Sequence, residues 1–134
     1  MLINRIYHNI ADRVEEVNPT ADTPDWDLIR AQFDETQHAD LMKVNTPSIM
    51  DKVDPARLKA IWPQIREIIK TVLPTDEEMV KMMKAAGAPI EPADVHVDDE
   101  LLAKGLRYHS YMRYRILLTR LLPMLGLDVM DFVK

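Results

Sequence analysis

The fold is decided by residues 54–87, which read DPARLKAIWPQIREIIKTVLPTDEEMVKMMKAAG. Asp54 followed by Pro55 places a capping residue before the residue type that suits the first helical position. Apolar side chains then recur at helical spacing over about five turns, at Leu58, Ile61, Trp62, Ile65, Ile68, Ile69 and Val72. We predict a long central helix here.

Pro63 lies inside this helix, where it removes one backbone donor and crowds the carbonyl of Lys59. We expect a bend rather than a break, because the apolar stripe continues across Pro63. A second helix follows, from Asp76 to about Ala86. Thr75 and Glu78 have the spacing of a capping box, and Gly87 supplies a left-handed stop.

Two more helices are predicted upstream. Residues 2–17 place apolar side chains on one face, at Ile3, Ile6, Tyr7, Ile10 and Val14, before Asn18-Pro19 ends the pattern. Thr23 is the expected cap of the next helix, with Pro24 at its first position and an end near His38. Residues 40–53 are ambiguous, with one turn expected from Pro47.

The last helical segment changes its apolar face. Asp98 is the expected cap, after a short extended corner at Pro89 and Pro92. One stripe contains Leu101, Gly105, Tyr108 and Met112, and a later stripe, rotated from the first, contains Leu118, Leu121, Leu122 and Leu125. Two helices with a joint near residues 113–117 explain this pattern; a single helix buried on several sides is the alternative. Gly126 ends the element, and the apolar tail after it should dock on the body.

The sequence therefore predicts a single all-α domain over residues 1–134, a compact bundle of about five to seven helices. No stretch alternates with the period of a strand, and no apolar run approaches the ~20 residues of a membrane span. There is no secretory signal and no cysteine, so we expect a cytoplasmic protein without disulfides. The net charge of −5 argues against nucleic acid as a partner.

Positive charge is concentrated in residues 101–126, which contain no acidic residue. The basic side chains are Lys104, Arg107, Arg113, Arg115 and Arg120. This segment either packs beside acidic neighbours or forms an anion site. Arg113 and Arg115 lie at the predicted joint, where they either brace the two helices or bind an anion.

Other chemical signals are weak. His8 and Asp12 have the i, i+4 spacing of a metal-ligand pair, although a pair on a partly exposed helix surface is the more ordinary interpretation. Trp26 and Trp62 are expected core anchors. Met79, Met82 and Met83 lie on one helix, where they either fill space in the core or between domains, or form an adaptable binding surface. No glycine-rich phosphate loop and no nucleophile elbow is present.

A family resemblance rests on residues 73–127, LPTDEEMVKMMKAAGAPIEPADVHVDDELLAKGLRYHSYMRYRILLTRLLPMLGL. A Leu-Pro-Thr start, a helix closing on Ala-Gly-Ala-Pro, a proline-containing corner, an acidic helix start, Arg-x-Arg and a final Leu-Gly-Leu follow in order. This order resembles the C-terminal end of the glycerol-dehydrogenase-like (iron-containing alcohol dehydrogenase) superfamily, and is closest to the sn-glycerol-1-phosphate dehydrogenases.

The resemblance implies an enzyme that uses NAD(P) and a divalent metal, zinc or iron, which acts as a Lewis acid during hydride transfer. It also implies that the nucleotide domain and the metal ligands precede the matched portion, so neither cofactor is expected in this chain. The family usually has Arg-Asp-Arg-aromatic-Thr at the joint. Here Tyr114 replaces the Asp, and Leu117 replaces the Thr, which removes an expected helix cap.

Two functions remain open. The first is a C-terminal helical domain, or a split-gene fragment, of such a dehydrogenase, which forms one wall of a substrate cleft and is incomplete for catalysis by itself. The second is a non-catalytic helical module that associates with itself. Both predict an exposed apolar face, for which the helix of residues 76–86 and the tail after Gly126 are candidates. We therefore expect either a homo-oligomer or a partner chain that binds the cofactor.

Overall fold

The structure is a computed structural model that describes all 134 residues, and it contains helices and no strands. The α-helices are α1 (Leu2–Arg13), α2 (Trp26–Arg30), α3 (His38–Val44), α4 (Pro55–Val72), α5 (Asp76–Ala85), α6 (Asp99–Tyr108) and α7 (Leu118–Leu121). Short 3-10 turns complete the chain at Glu35–Gln37, Ile49–Lys52, Pro92–Val95, His109–Met112, Leu122–Leu125 and Val129–Phe132. The prediction of an all-α helical bundle is confirmed. None of these helices combines the length and the apolar character needed to cross a membrane.

The main core lies between α1 and α4, with α6, α7 and the C-terminal turns packed around them. Trp62 is 1% exposed, and its indole N–H donates a 2.9 Å hydrogen bond to the carbonyl of Val14. Arg66 donates to the carbonyl of Ala11 at 2.7 Å, so α4 also holds the C-terminal end of α1. The expected role of Trp62 as a core anchor is confirmed.

The predicted boundaries of α4 and α5 are confirmed by their caps. The Asp54 carboxylate accepts the backbone N–H of Arg57 at 2.7 Å, and α4 continues unbroken through Pro63. Thr75 and Glu78 form the capping box, in which each side chain accepts the other's backbone N–H. Gly87 has a positive φ of 63°, as a left-handed stop requires.

Upstream, two boundary predictions are wrong. The helix expected over residues 2–17 ends at Arg13, because residues 14–25 run as non-helical chain. The expected cap at Thr23 is also wrong, since the Asp25 carboxylate accepts the N–H of Leu28 at 3.0 Å and α2 begins at Trp26. A side-chain acceptor one residue beyond Pro24 therefore starts the helix.

The helix expected to reach His38 is divided. It stops at Arg30, and Asp34 then caps a new turn through a capping box with Gln37, a spacing that the sequence analysis missed. α3 follows directly and covers residues 40–44 of the region that was ambiguous. The turn expected from Pro47 begins at Ile49, because the Ser48 hydroxyl accepts the N–H of Met50.

Downstream, the corner expected to be extended contains the 3-10 turn Pro92–Val95. The cap at Asp98 is confirmed by a 2.8 Å bond from the N–H of Leu101. The tail after Gly126 docks on the main core, with Val129 and Phe132 buried. The tail is therefore part of the core, and the prediction that it forms an exposed apolar face is wrong.

A second, smaller core packs α2 and α3 against the turn that follows α6. Ile29, Leu41 and Tyr111 are buried there, with Trp26 and Phe33 half-buried around them. The rings of Trp26 and Tyr111 meet edge to face, with their centroids 5.8 Å apart. This small core supports one side of the predicted joint.

Candidate functional site

The predicted joint between the last two helices is present, and residues 113–116 of it are exposed. α6 ends at Tyr108, the turn His109–Met112 follows, and residues 113–117 are non-helical before α7 begins. The backbone is extended at Arg113 and Leu117. The interpretation as two helices is confirmed over that of a single helix.

Arg113 lines a groove of about 400 Å³ between the joint and α3. Half of the lining is apolar, and the two cations Arg113 and Lys43 accompany one carboxylate, Asp40. A neighbouring groove of about 320 Å³ lies towards α6, and Phe33 and Met112 belong to both grooves. The joint thus forms a concave surface that combines apolar and cationic groups.

Arg115 lies in the same joint but lines neither groove. Both Arg113 and Arg115 are exposed, and neither guanidinium forms an ion pair or a side-chain hydrogen bond. The choice between bracing and anion binding therefore stays a prediction for each of them. Their positions differ, because only Arg113 borders a cavity.

Arg120 stabilises the joint through buried contacts, a role that was not predicted from the sequence. It is 1% exposed, and its two terminal nitrogens donate to the two carboxylate oxygens of Asp22 at 2.9 and 2.7 Å. The guanidinium also stacks on the ring of Tyr111, 4.2 Å from the centroid. Burial raises the pKa of the Tyr111 hydroxyl, an effect that the charge of Arg120 partly offsets.

The basic segment is only partly neutralised by acidic neighbours. Arg107 forms a bidentate ion pair with Asp128, which lowers the pKa of the Asp128 carboxyl group. Arg120 forms an ion pair with Asp22. The remaining cations of the segment, Lys104, Arg113 and Arg115, have no carboxylate partner. Two of these three line the grooves. In the first groove Arg113 and Lys43 outnumber Asp40, whereas in the second groove Asp34 balances Lys104.

His109 and Thr119 connect α6 to α7 behind the joint. The Nδ1 atom of His109 lies 3.0 Å from the carbonyl oxygen of Gly105, so Nδ1 carries the proton and Nε2 accepts from the Thr119 hydroxyl at 3.3 Å. Burial raises the pKa of Tyr7, whose hydroxyl lies near Thr119. No carboxylate completes this chain of groups, and we assign it a structural role.

His8 and Asp12 do not form a metal pair. The Nε2 atom of His8 lies 3.0 Å from the carbonyl oxygen of Pro74, whereas Asp12 pairs with Lys70 at 2.7 Å. No group of three or more His, Asp or Glu side chains is placed to hold one metal ion. The residues present therefore do not fit a metal centre of their own.

Comparison with protein-family models, curated proteins and solved structures finds no match to this chain.

Proposed function

We propose that this chain is the C-terminal helical domain of a cytoplasmic, sn-glycerol-1-phosphate dehydrogenase-like oxidoreductase, incomplete for catalysis by itself. The observation that carries the proposal is the groove at the joint, where apolar side chains and the cations Arg113 and Lys43 line one concave surface. Such a surface suits one wall of a cleft for a small anionic substrate. The opposite wall belongs to the dinucleotide- and metal-binding part of the enzyme, whether this chain is its C-terminal domain or a split-gene fragment.

The cofactors of such an enzyme are bound by the part of the enzyme that precedes this domain. The residues of this chain do not fit a metal or a dinucleotide, and the resemblance locates both before the portion matched here. When bound, the metal would polarise the substrate oxygen. The contribution of this chain is to place Arg113 and Lys43 against an anionic group and to exclude water with Phe33 and Met112.

The order of motifs in residues 73–127 supports the proposal, because it resembles the order in the family. The motifs are the helix that follows Leu-Pro-Thr, the proline-containing corner, the acidic helix start and the joint. The departure at Leu117 has a local consequence. Leu117 stands at the N-cap of α7 without a side-chain hydrogen bond, and α7 is only four residues long.

A complementation assay tests this function. A glycerol-1-phosphate dehydrogenase is shortened so that it keeps its dinucleotide domain and metal ligands but loses its last helices. We expect the added chain to restore oxidation of sn-glycerol 1-phosphate with NAD(P)⁺ and Zn²⁺. Persistent inactivity of the mixture, with both parts folded, would overturn the proposal.

Variants of the two joint arginines sharpen the assay. Losing one charge-assisted hydrogen bond costs about 1.5 kcal/mol, so Arg113→Ala should raise the KM for the phosphorylated substrate about tenfold. Arg115→Ala is the matched control, since Arg115 is exposed in the same joint but lies outside the groove. Equal effects of the two variants would remove Arg113 from the substrate wall.

The second candidate, a non-catalytic module that associates with itself, is favoured by a different surface. On α4, Ile68 and Val72 are 58% and 70% exposed, next to the half-buried Ile61 and Ile65. The two candidates use different faces and are compatible in one protein.

A further inference from the structure

A small cavity lies between the end of α6 and the C-terminal turns, separate from the groove that Arg113 borders. Its volume is about 220 Å³, and its aliphatic wall consists of Leu122, Pro123, Leu127 and Val129. An engineered apolar cavity of about 150 Å³ in another protein binds benzene, so this volume is enough for one six-membered ring with a substituent.

The charged groups of this cavity neutralise each other. Arg107 and Asp128 are the charged residues of its lining, and they form the bidentate ion pair described above, at 3.0 and 2.7 Å. The Thr119 hydroxyl, which also lines the cavity, donates to His109. A charged ligand would find no free countercharge here, so the cavity suits a neutral molecule.

The hydroxyl of Tyr111 is a polar group of this cavity that has no partner. Tyr111 is 6% exposed, and it lines this cavity but neither groove at the joint. Its backbone carbonyl accepts from Asn45 at 2.7 Å, whereas its hydroxyl forms no hydrogen bond within the protein. Buried tyrosine hydroxyls usually have a partner. The hydroxyl oxygen is not sealed from solvent, so a molecule in the cavity can supply that partner.

The ring of Tyr111 is held in one orientation by its neighbours. The guanidinium of Arg120 lies 4.2 Å from the ring centroid, and Trp26 meets the ring edge to face. Arg120 is itself fixed by both carboxylate oxygens of Asp22. The hydroxyl is therefore positioned before a ligand arrives, which reduces the ordering cost of binding.

We propose that this cavity binds a small, neutral ring compound whose single hydroxyl or carbonyl group forms a hydrogen bond with the Tyr111 hydroxyl. A tyrosine hydroxyl both donates and accepts, so either group is a suitable partner. The ring lies against the aliphatic wall and Tyr108, whose ring centroid is 6.4 Å from that of Tyr111. The cavity shares no lining residue with the groove of Arg113, so this site is independent of the proposed dehydrogenase function.

Paired titrations with phenol and toluene, followed by NMR, test the role of the hydroxyl. The two ligands have the same ring and differ in the polar group. Phenol should bind the wild-type chain with a Kd of about 1 mM or lower. Tyr111→Phe keeps the ring that Arg120 contacts, so it should weaken phenol binding about fivefold and leave toluene binding unchanged. Unchanged binding of toluene also shows that the variant is folded.

Methyl chemical shifts locate the site. Phenol should shift the methyl signals of Leu127 and Val129, whereas those of Ile61 and Ile65, beside a different apolar groove, should not move. Leu127 is half-buried, and Leu127→Trp should fill the cavity and abolish the binding of both ligands. The matched control is Leu101→Trp, on α6 at a 54% exposed position outside the cavity, which should bind both ligands normally.

Benzoate and benzylamine at neutral pH test the requirement for an uncharged ligand. Each should bind at least about tenfold more weakly than phenol, because its charge would lose water without gaining a partner. The proposal is overturned if phenol does not bind, if the shifts lie outside the cavity, or if Tyr111→Phe affects phenol and toluene equally. Binding of either charged compound as tightly as phenol would also overturn it.

Discussion

At the scale of single residues, Arg120 is the least predictable feature of the molecule. Its sequence context, Leu-Thr-Arg-Leu-Leu, indicates only a cation beside an apolar stripe, and its partner Asp22 lies in non-helical chain at the other end of the sequence. The pairing depends on the path of residues 14–25, which have no periodic pattern of their own. The carboxylate of Asp22 is 8% exposed, so the pair is almost completely removed from water.

We expect Arg120→Ala to lower the free energy of unfolding by about 3–5 kcal/mol, because it leaves the Asp22 carboxylate buried without a partner. Arg107→Ala is the matched control. Its ion pair with Asp128 is 43% exposed on both sides, and its removal should cost about 1 kcal/mol or less. Urea unfolding measures both. Similar losses for the two variants would contradict the assigned role of Arg120.

At the scale of elements, helix starts were predictable where a side-chain cap lies beside a clear apolar period. Asp54, Thr75 and Asp98 each accept the expected backbone N–H. The prediction of a cap at Thr23 was wrong for the same physical reason, because the carboxylate of Asp25, two residues later, accepts the helix N–H instead. A sequence with several acceptors in succession does not reveal which one the chain uses.

The apolar stripe of α4 illustrates a second limit. All seven of its apolar residues suit a core helix by spacing, but Leu58, Trp62 and Ile69 are buried while Ile68 and Val72 are exposed. Periodicity gives the width of a stripe and does not indicate which part faces the core. α1 packs against α4 on the side of Trp62, and this packing leaves Ile68 and Val72 exposed.

The stability of α5 should depend strongly on its cap, because none of its residues is buried. The backbone N–H of Thr75 bonds the Glu78 carboxylate and lowers the pKa of Glu78, while the Thr75 hydroxyl accepts the N–H of Glu78. Thr75→Ala should cost about 1 kcal/mol of local stability, so α5 amides should exchange hydrogen about fivefold faster.

The control for this prediction is Thr71→Ala, an exposed position on α4 whose hydroxyl bonds only the carbonyl of Glu67. It should leave the exchange of α5 unchanged. Hydrogen exchange measured by NMR resolves the two helices. If α5 exchanges at the same rate in Thr75→Ala as in the wild type, the helix is held by contacts other than its cap.

At the scale of the whole molecule, the position of the joint was predictable and its surroundings were not. The rotation of the apolar face between residues 112 and 118 located the joint, because two stripes on one straight helix would point in different directions. The groove beside it also needs Phe33 and Lys43, which reach the joint only through the small core of α2 and α3. Such long-range neighbours follow from tertiary packing.

The central claim is that this domain works through contact with another polypeptide, and sedimentation equilibrium of the wild-type chain tests it most directly. The exposed face of α4 predicts a dimer whose fraction rises with concentration, together with binding of a hydrophobic dye to the monomer at high dilution. A chain that stays monomeric at every concentration and binds no dye would contradict the claim.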